Sequence, residues 1–155
     1  MSAQLVVYDS YFGNTEKIAQ AIAEALGDAN LKRVQEVNQS DLENLKVLVV
    51  GSPTRAFRPT PAIMNFVKSL DREKIKKVKA AAFDTRIPKN QTDSGFLKFM
   101  INLFGYADVK IARALSKTSA ELVIESTGFG VKGTEGPLLD GELERAKTWA
   151  KGLHQ

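Results

Sequence analysis

The chain contains no cysteine. That excludes disulfides, thiolate-held metals, iron–sulfur clusters and a cysteine nucleophile. It contains one histidine, His154, beside the C-terminal residue. Neither a histidine-based triad nor a histidine metal cluster is therefore expected. No apolar run approaches the roughly 18 residues of a membrane-spanning helix. There is no internal repeat, no low-complexity linker, and no G-x-x-x-x-G-K-[ST] loop that would support nucleotide hydrolysis. The opening "MSAQ" lacks a basic segment and an apolar signal core, so the chain is expected in the cytoplasm. There the sequons at 38–40 and 90–92 would stay unmodified. No catalytic and no metal-ligating residue can be named, and any redox chemistry must come from a bound cofactor.

What is present fits a single domain, residues 1–155, with a full core: 43% of the residues are hydrophobic. The net charge of +4 and the pI near 9.3 favour acidic partners. Four near-continuous apolar runs, "QLVVY" (4–8), "KVLVVG" (46–51), "VKAAAF" (78–83) and "ELVIES" (121–126), have the pattern of strands buried on both faces. A shorter polar run, "LKRVQEV" (31–37), belongs at a sheet edge. Helical spacing separates them. "TEKIAQAIAEAL" puts Ile18, Ala21, Ile22, Ala25 and Leu26 on one face and ends at Gly27. "TPAIMNFVKSL" opens with Thr60 as cap and Pro61 at the first helical position. "ADVKIARALSKTSA" points Val109, Ala112 and Leu115 inward, and the closing helix does so with Leu143, Ala146, Trp149, Ala150 and Leu153. Alternation of this kind predicts an α/β fold: a doubly wound, five-stranded parallel sheet with helices on both faces. In such folds ligands lie outside the carboxyl ends of the strands. That directs attention to loops 9–15, 51–60, 84–93 and 127–140.

The first of these loops reads "SYFGNT" and runs from a strand into a helix. Helix N-terminal N–H groups lack internal partners and carry the positive end of the dipole, so a phosphate is stabilised there without a lysine or arginine. Ser10, Asn14 and Thr15 can add donors, and Gly13 permits close approach. A plain capped turn would use the same residues. A second glycine pattern, "GFGVKG" (128–133), matches G-x-G-x-x-G, but "TEGPL" after it stops a helix. It is expected to be a surface loop without a nucleotide. The basic run "DREKIKKVK" (71–79) falls at the amino end of the sheet and reads as a solvated turn, with nucleic-acid binding not expected.

Taken over a longer stretch, "VVYDSYFGNTEKIAQAI" resembles the flavodoxin signature at Val6, Val7, Tyr8, Ser10, Gly13, Thr15, Ala19 and Ile22. "VVGSPTR" (49–55) resembles the family's second flavin loop, and residues 128–153 resemble the C-terminal part of small flavodoxin domains. The resemblance implies the strand order 2-1-3-4-5 and FMN as cofactor. Ser10, Tyr11, Phe12, Gly13, Asn14 and Thr15 would hold the ribityl phosphate. Ser52, Pro53, Thr54, Arg55, Ala56 and Phe57, with Asp84, Thr85 and Arg86, would flank the flavin ring.

The chain departs from that pattern in three ways. Phe57 is the one aromatic of the second loop, and the third, "DTRIPKNQ", has none, the nearest being Phe96. Arg55, Arg58, Arg86 and Lys89 stand where acidic residues are usual. Such cations favour a negatively charged reduced flavin, hence a less negative potential, and an acidic docking partner. Finally, "DSGFLKFMINLF" (93–104) adds a helix, capped by Asp93 or Ser94, that is apolar nearly all round. Core packing, a place beside the flavin, or contact with a partner or a second subunit would each account for it. The leading expectation is an electron carrier working between redox proteins. The alternatives are a small FMN-dependent NAD(P)H or quinone reductase, with Arg55 and Arg58 holding the nucleotide phosphates, and a flavin-free interaction module.

Overall fold

The computed structural model describes residues 2–91 and 93–154. Thr92, the last residue of the second sequon, lies outside them. The strands are β1 (Gln4–Tyr8), β2 (Asn30–Arg33), β3 (Val47–Pro53), β4 (Lys79–Arg86), β5 (Glu121–Leu122) and β6 (Thr127–Gly130). The helices are α1 (Asn14–Leu26), α2 (Pro61–Lys68), α3 (Gly95–Phe104), α4 (Ala107–Ser116) and α5 (Glu142–Lys151). All strand pairs are parallel and the order is β2-β1-β3-β4-β5, with β6 also on β4: the doubly wound fold.

Successive strand residues point to opposite faces, and here both faces are covered. Leu5, Val7, Leu48, Val50, Ala80 and Ala82 pack with Ile63 and Val67 of α2 and Ile111 and Leu115 of α4. Val6, Val49, Ala81 and Phe83 pack with Ile18 and Ile22 of α1 and Ala146 and Ala150 of α5. This explains why the strands read as unbroken apolar runs. Gly27 ends α1 with φ 89°, and Thr60 Oγ1 caps α2 by accepting from Ile63 N–H at 3.3 Å.

The fifth strand position departs from the expected 121–126 run. Leu122 pairs with Ala80 and Thr127 with Phe83. Residues 123–126 therefore face only Ala81 and Ala82 of β4, and the surplus chain breaks the strand in two. At this edge Leu122 and Val123 are exposed rather than buried. The G-x-G segment expected to be a surface loop is strand β6. Phe129 is fully buried, with ring centroids 6.1 Å from Phe83 and 6.1 Å from Trp149. Outer main-chain groups of β6 are taken up by α5: Gly130 N–H donates to Glu142 Oε2 at 2.6 Å, and Arg145 Nη2 donates to Gly128 O. Those ties turn Leu143 outward, against expectation, and the inward stripe of α5 begins at Ala146.

Val109 is likewise exposed, not inward, because α4 buries Ala107, Asp108, Ile111 and Leu115. A charged residue holds the place in the stripe where an apolar one was expected. The added helix α3 has Ser94 as its cap, Oγ accepting from Leu97 N–H at 3.1 Å, and Gly105 beyond its end. It is not core: Ile101 is its one buried residue, while Phe96, Phe99 and Leu103 are 72%, 59% and 61% exposed. Among the described residues no helix is long and apolar enough to cross a membrane.

Candidate functional site

The carboxyl ends of β1, β3 and β4 and the start of α1 enclose a cleft of about 230 Å³. From the first loop Ser10, Tyr11, Phe12, Asn14 and Thr15 line it. The second loop contributes Pro53, Thr54, Arg55 and Ala56, and β4 contributes Thr85 and Arg86. Four residues anticipated at the site are not on its wall. Gly13 forms the turn beneath it, Ser52 and Asp84 are buried below it, and Phe57 faces Phe104 with ring centroids 5.7 Å apart.

Gly13 has φ 93° and its N–H donates to Ser10 Oγ at 3.0 Å, which leaves the Ser10 O–H to donate elsewhere. Thr15 Oγ1 and Thr85 Oγ1 share a hydrogen bond of 2.7 Å across the floor. The wall thus gathers three hydroxyls at the N-terminus of α1, where the dipole is positive, and carries no carboxylate. Ser52 is structural instead: its Oγ accepts from Thr60 N–H at 2.9 Å and so seats the cap of α2.

β4 runs three residues beyond the expected end, and this decides the electrostatics. Asp84 and Arg86, two apart, share one face; Thr85 takes the other, towards α1. Arg86 donates Nε to Asp84 Oδ1 at 2.7 Å and Nη2 to Asp84 Oδ2 at 2.8 Å, and Nη2 also pairs with Asp108 Oδ1 at 2.8 Å. Asp108 N–H donates to Asp84 Oδ2 at 2.8 Å. The guanidinium lies 3.8 Å from the Tyr106 ring centroid, and a Cβ on Gly128 would overlap it on the other side. Burial raises the Asp84 pKa to about 6 against the opposing pull of Arg86. With two carboxylates beside it, Arg86 is not the free cation expected at the ring. Of the four anticipated cations, Arg55 is the other one on the wall; Lys89 instead donates to Asn102 Oδ1 at 2.6 Å.

Arg55 lies 4.8 Å from the Tyr11 ring centroid and 5.8 Å from that of Phe12. The rim aromatics are therefore first-loop residues rather than Phe57 or Phe96. The turn is tight: Arg55 and Arg58 exchange N–H···O bonds of 2.9 and 3.0 Å. Both central residues are left-handed, Ala56 at φ 49° and Phe57 at φ 66°. Asparagine tolerates that region better than alanine. Ala56→Asn is expected to stabilise the protein by about 0.5 kcal/mol, read as a higher denaturant midpoint at unchanged slope.

Ile87, Val131 and Thr134 also line the cleft and were not anticipated. Both Val131 and Thr134 follow β6; Val131 lies in the 128–133 segment read as a surface loop, and Thr134 comes directly after it. Asn14 Nδ2 donates to Glu135 O at 3.1 Å and draws that segment over α1. Gly136 was the available signal: at φ 108°, any Cβ there would strike the Asn14 amide.

A cleft at the carboxyl end of a doubly wound sheet, opening on the first strand-to-helix turn, defines a flavodoxin-like α/β protein. Residues 5–94 match the flavodoxin domain model, and the chain belongs to that family. Among solved structures it is similar to oxidised flavodoxin 2 from Bacillus cereus, at 20% identity and TM-score 0.75, covering 99% of this chain and 98% of that one. A flavodoxin from the domain Archaea gives 19% identity and TM-score 0.71, with 98% and 99% covered. The rubredoxin oxygen:oxidoreductase of Desulfovibrio gigas gives 18% and 0.72, but this chain spans 98% of itself and 35% of that protein. No curated protein sequence matches the chain.

Proposed function

We propose that the chain, acting as one domain in the cytoplasm, binds FMN and carries electrons between redox proteins. The observation that supports this best is the make-up of the cleft: hydroxyls of Ser10, Thr15 and Thr85 at the start of α1, the Arg55 guanidinium and no carboxylate on the wall. That donor set suits a phosphomonoester. Ser10, Thr15 and the α1 N–H groups would hold the phosphate. Tyr11, Phe12, Arg55 and Ala56 would border the ring. Bound there, the flavin supplies one- and two-electron chemistry; the chain positions it and sets its electrostatic surroundings. Arg55 supports a reduced flavin of negative charge, whereas the Asp84–Arg86–Asp108 group adds no net positive charge.

The test is FMN titration of the flavin-free chain, followed by flavin fluorescence quenching and the phosphorus resonance of the phosphate. Stoichiometric quenching is expected. Thr15→Ala should weaken binding roughly tenfold, the loss of one hydrogen bond to a charged group. Absence of binding would favour the flavin-free module. Rapid turnover of NAD(P)H with a quinone, with no partner protein present, would favour the reductase.

A further inference from the structure

We propose that the groove between α2 and α4, with the adjoining ridge of α3, docks an acidic amphipathic helix of a partner protein. The groove has a volume of about 520 Å³. Its floor is apolar: Met64, Val67, Leu70 and Ala114. Five cations border it, Lys68, Arg72, Lys110, Arg113 and Lys117, and no carboxylate does. Among the described residues none of the five is in an ion pair. The Lys110 pKa is lowered by burial and, secondarily, by the neighbouring charges of Arg58 and Arg113.

Lys110 links groove and ridge. Its ammonium donates to Phe104 O at 2.8 Å and to Phe57 O. Beyond it lie the exposed apolar residues Phe96, Phe99 and Leu103 of α3 and Val109 of α4. An apolar floor between cationic banks matches a helix with an apolar stripe and flanking carboxylates, the helix-in-groove mode. Charge complementarity selects this occupant. A second copy related by a two-fold axis would set the same cations against one another. The site shares no wall residue with the cleft, so it stands or falls independently of FMN.

The test uses the full chain, with and without FMN, and a fluorescein-labelled 18-residue peptide with a leucine stripe on an otherwise glutamate surface. Saturable binding is expected, weakening at least tenfold from about 20 to about 300 mM salt, a roughly fifteenfold rise in ionic strength. Amide resonance shifts should fall on α2, α3 and α4. Arg113→Gln with Lys117→Gln should weaken binding at least tenfold, and Phe99→Ser should weaken it, with the far-ultraviolet dichroism of the fold retained at these exposed positions. A scrambled peptide binding equally well would reduce the effect to charge alone and overturn the proposal. So would tighter binding to an oligothymidylate, to vesicles of anionic phosphatidylglycerol, or self-association of the chain through α3.

Discussion

Replacing Arg86 with methionine is expected to lower the free energy of unfolding by about 3–5 kcal/mol at pH 7. The reason lies in what the variant leaves behind. Asp84 is fully buried and Asp108 nearly so, and Arg86 is the cation that meets both. Methionine fills much of the volume but strands two carboxylates, which must then stay charged in a dry site or take up protons. The deficit should therefore shrink as the pH falls. In the unmodified protein Asp84 already titrates near 6, above its value in the unfolded chain. A raised folded-state pKa means that its contribution to stability is present below about pH 4 and is lost as the pH rises through about 6. Asp84→Asn removes that dependence, so its deficit relative to the unmodified protein should narrow between pH 4 and pH 7. Denaturant unfolding at four pH values separates the two variants. A small, pH-independent loss for Arg86→Met would mean that water reaches the group.

Phe129→Ala should cost a comparable amount, about 3–5 kcal/mol. Phe129 is fully buried, touches Phe83 and Trp149 edge-on at 6.1 Å each, and has the Arg145 guanidinium 4.5 Å from its centroid. Truncation opens a cavity between the sheet and α5 and frees Trp149, whose own ring lies 6.2 Å from Phe83. The near-ultraviolet dichroism of Trp149 should weaken along with the unfolding midpoint. Phe99→Ala, on the exposed face of α3, should change stability by less than about 0.5 kcal/mol. Equal losses at both positions would contradict the burial difference.

These two residues also mark where the sequence stopped being readable. The central strands and the strand-to-helix junction of the first loop were legible from local signals, unbroken apolar runs, a glycine and hydroxyls, whereas the strand order came from the resemblance to flavodoxins. Phe129 was obscured by its flanking glycines, which read as loop punctuation. In fact Gly128 leaves room for Arg86, and Gly130 for Leu139 and Pro88. Asp84 and Arg86 read as loop because they are polar, whereas the strand continues through them with charges paired on one face. The inward face of α4 was rotated for the same reason: the partner that draws Asp108 inside lies 22 residues earlier in the chain. Exposure of α3 had no signal, since an apolar helix resting on the surface and one buried in the core have the same spacing.

The tie between β6 and α5 has a colloidal consequence. A sheet with a bare rim can recruit strands from other molecules. Here Glu142 occupies Gly130 N–H and Arg145 occupies Gly128 O, so that stretch of rim is already sealed from within. β5, on the same side, is two residues long. The Glu142 pKa is held below its ordinary value by Arg145 and by the Gly130 N–H. The seal is thus intact near neutrality and opens when acid protonates Glu142. Glu142→Gln, uncharged at every pH, should therefore associate through this rim already at neutral pH, where the unmodified protein does so only after acidification.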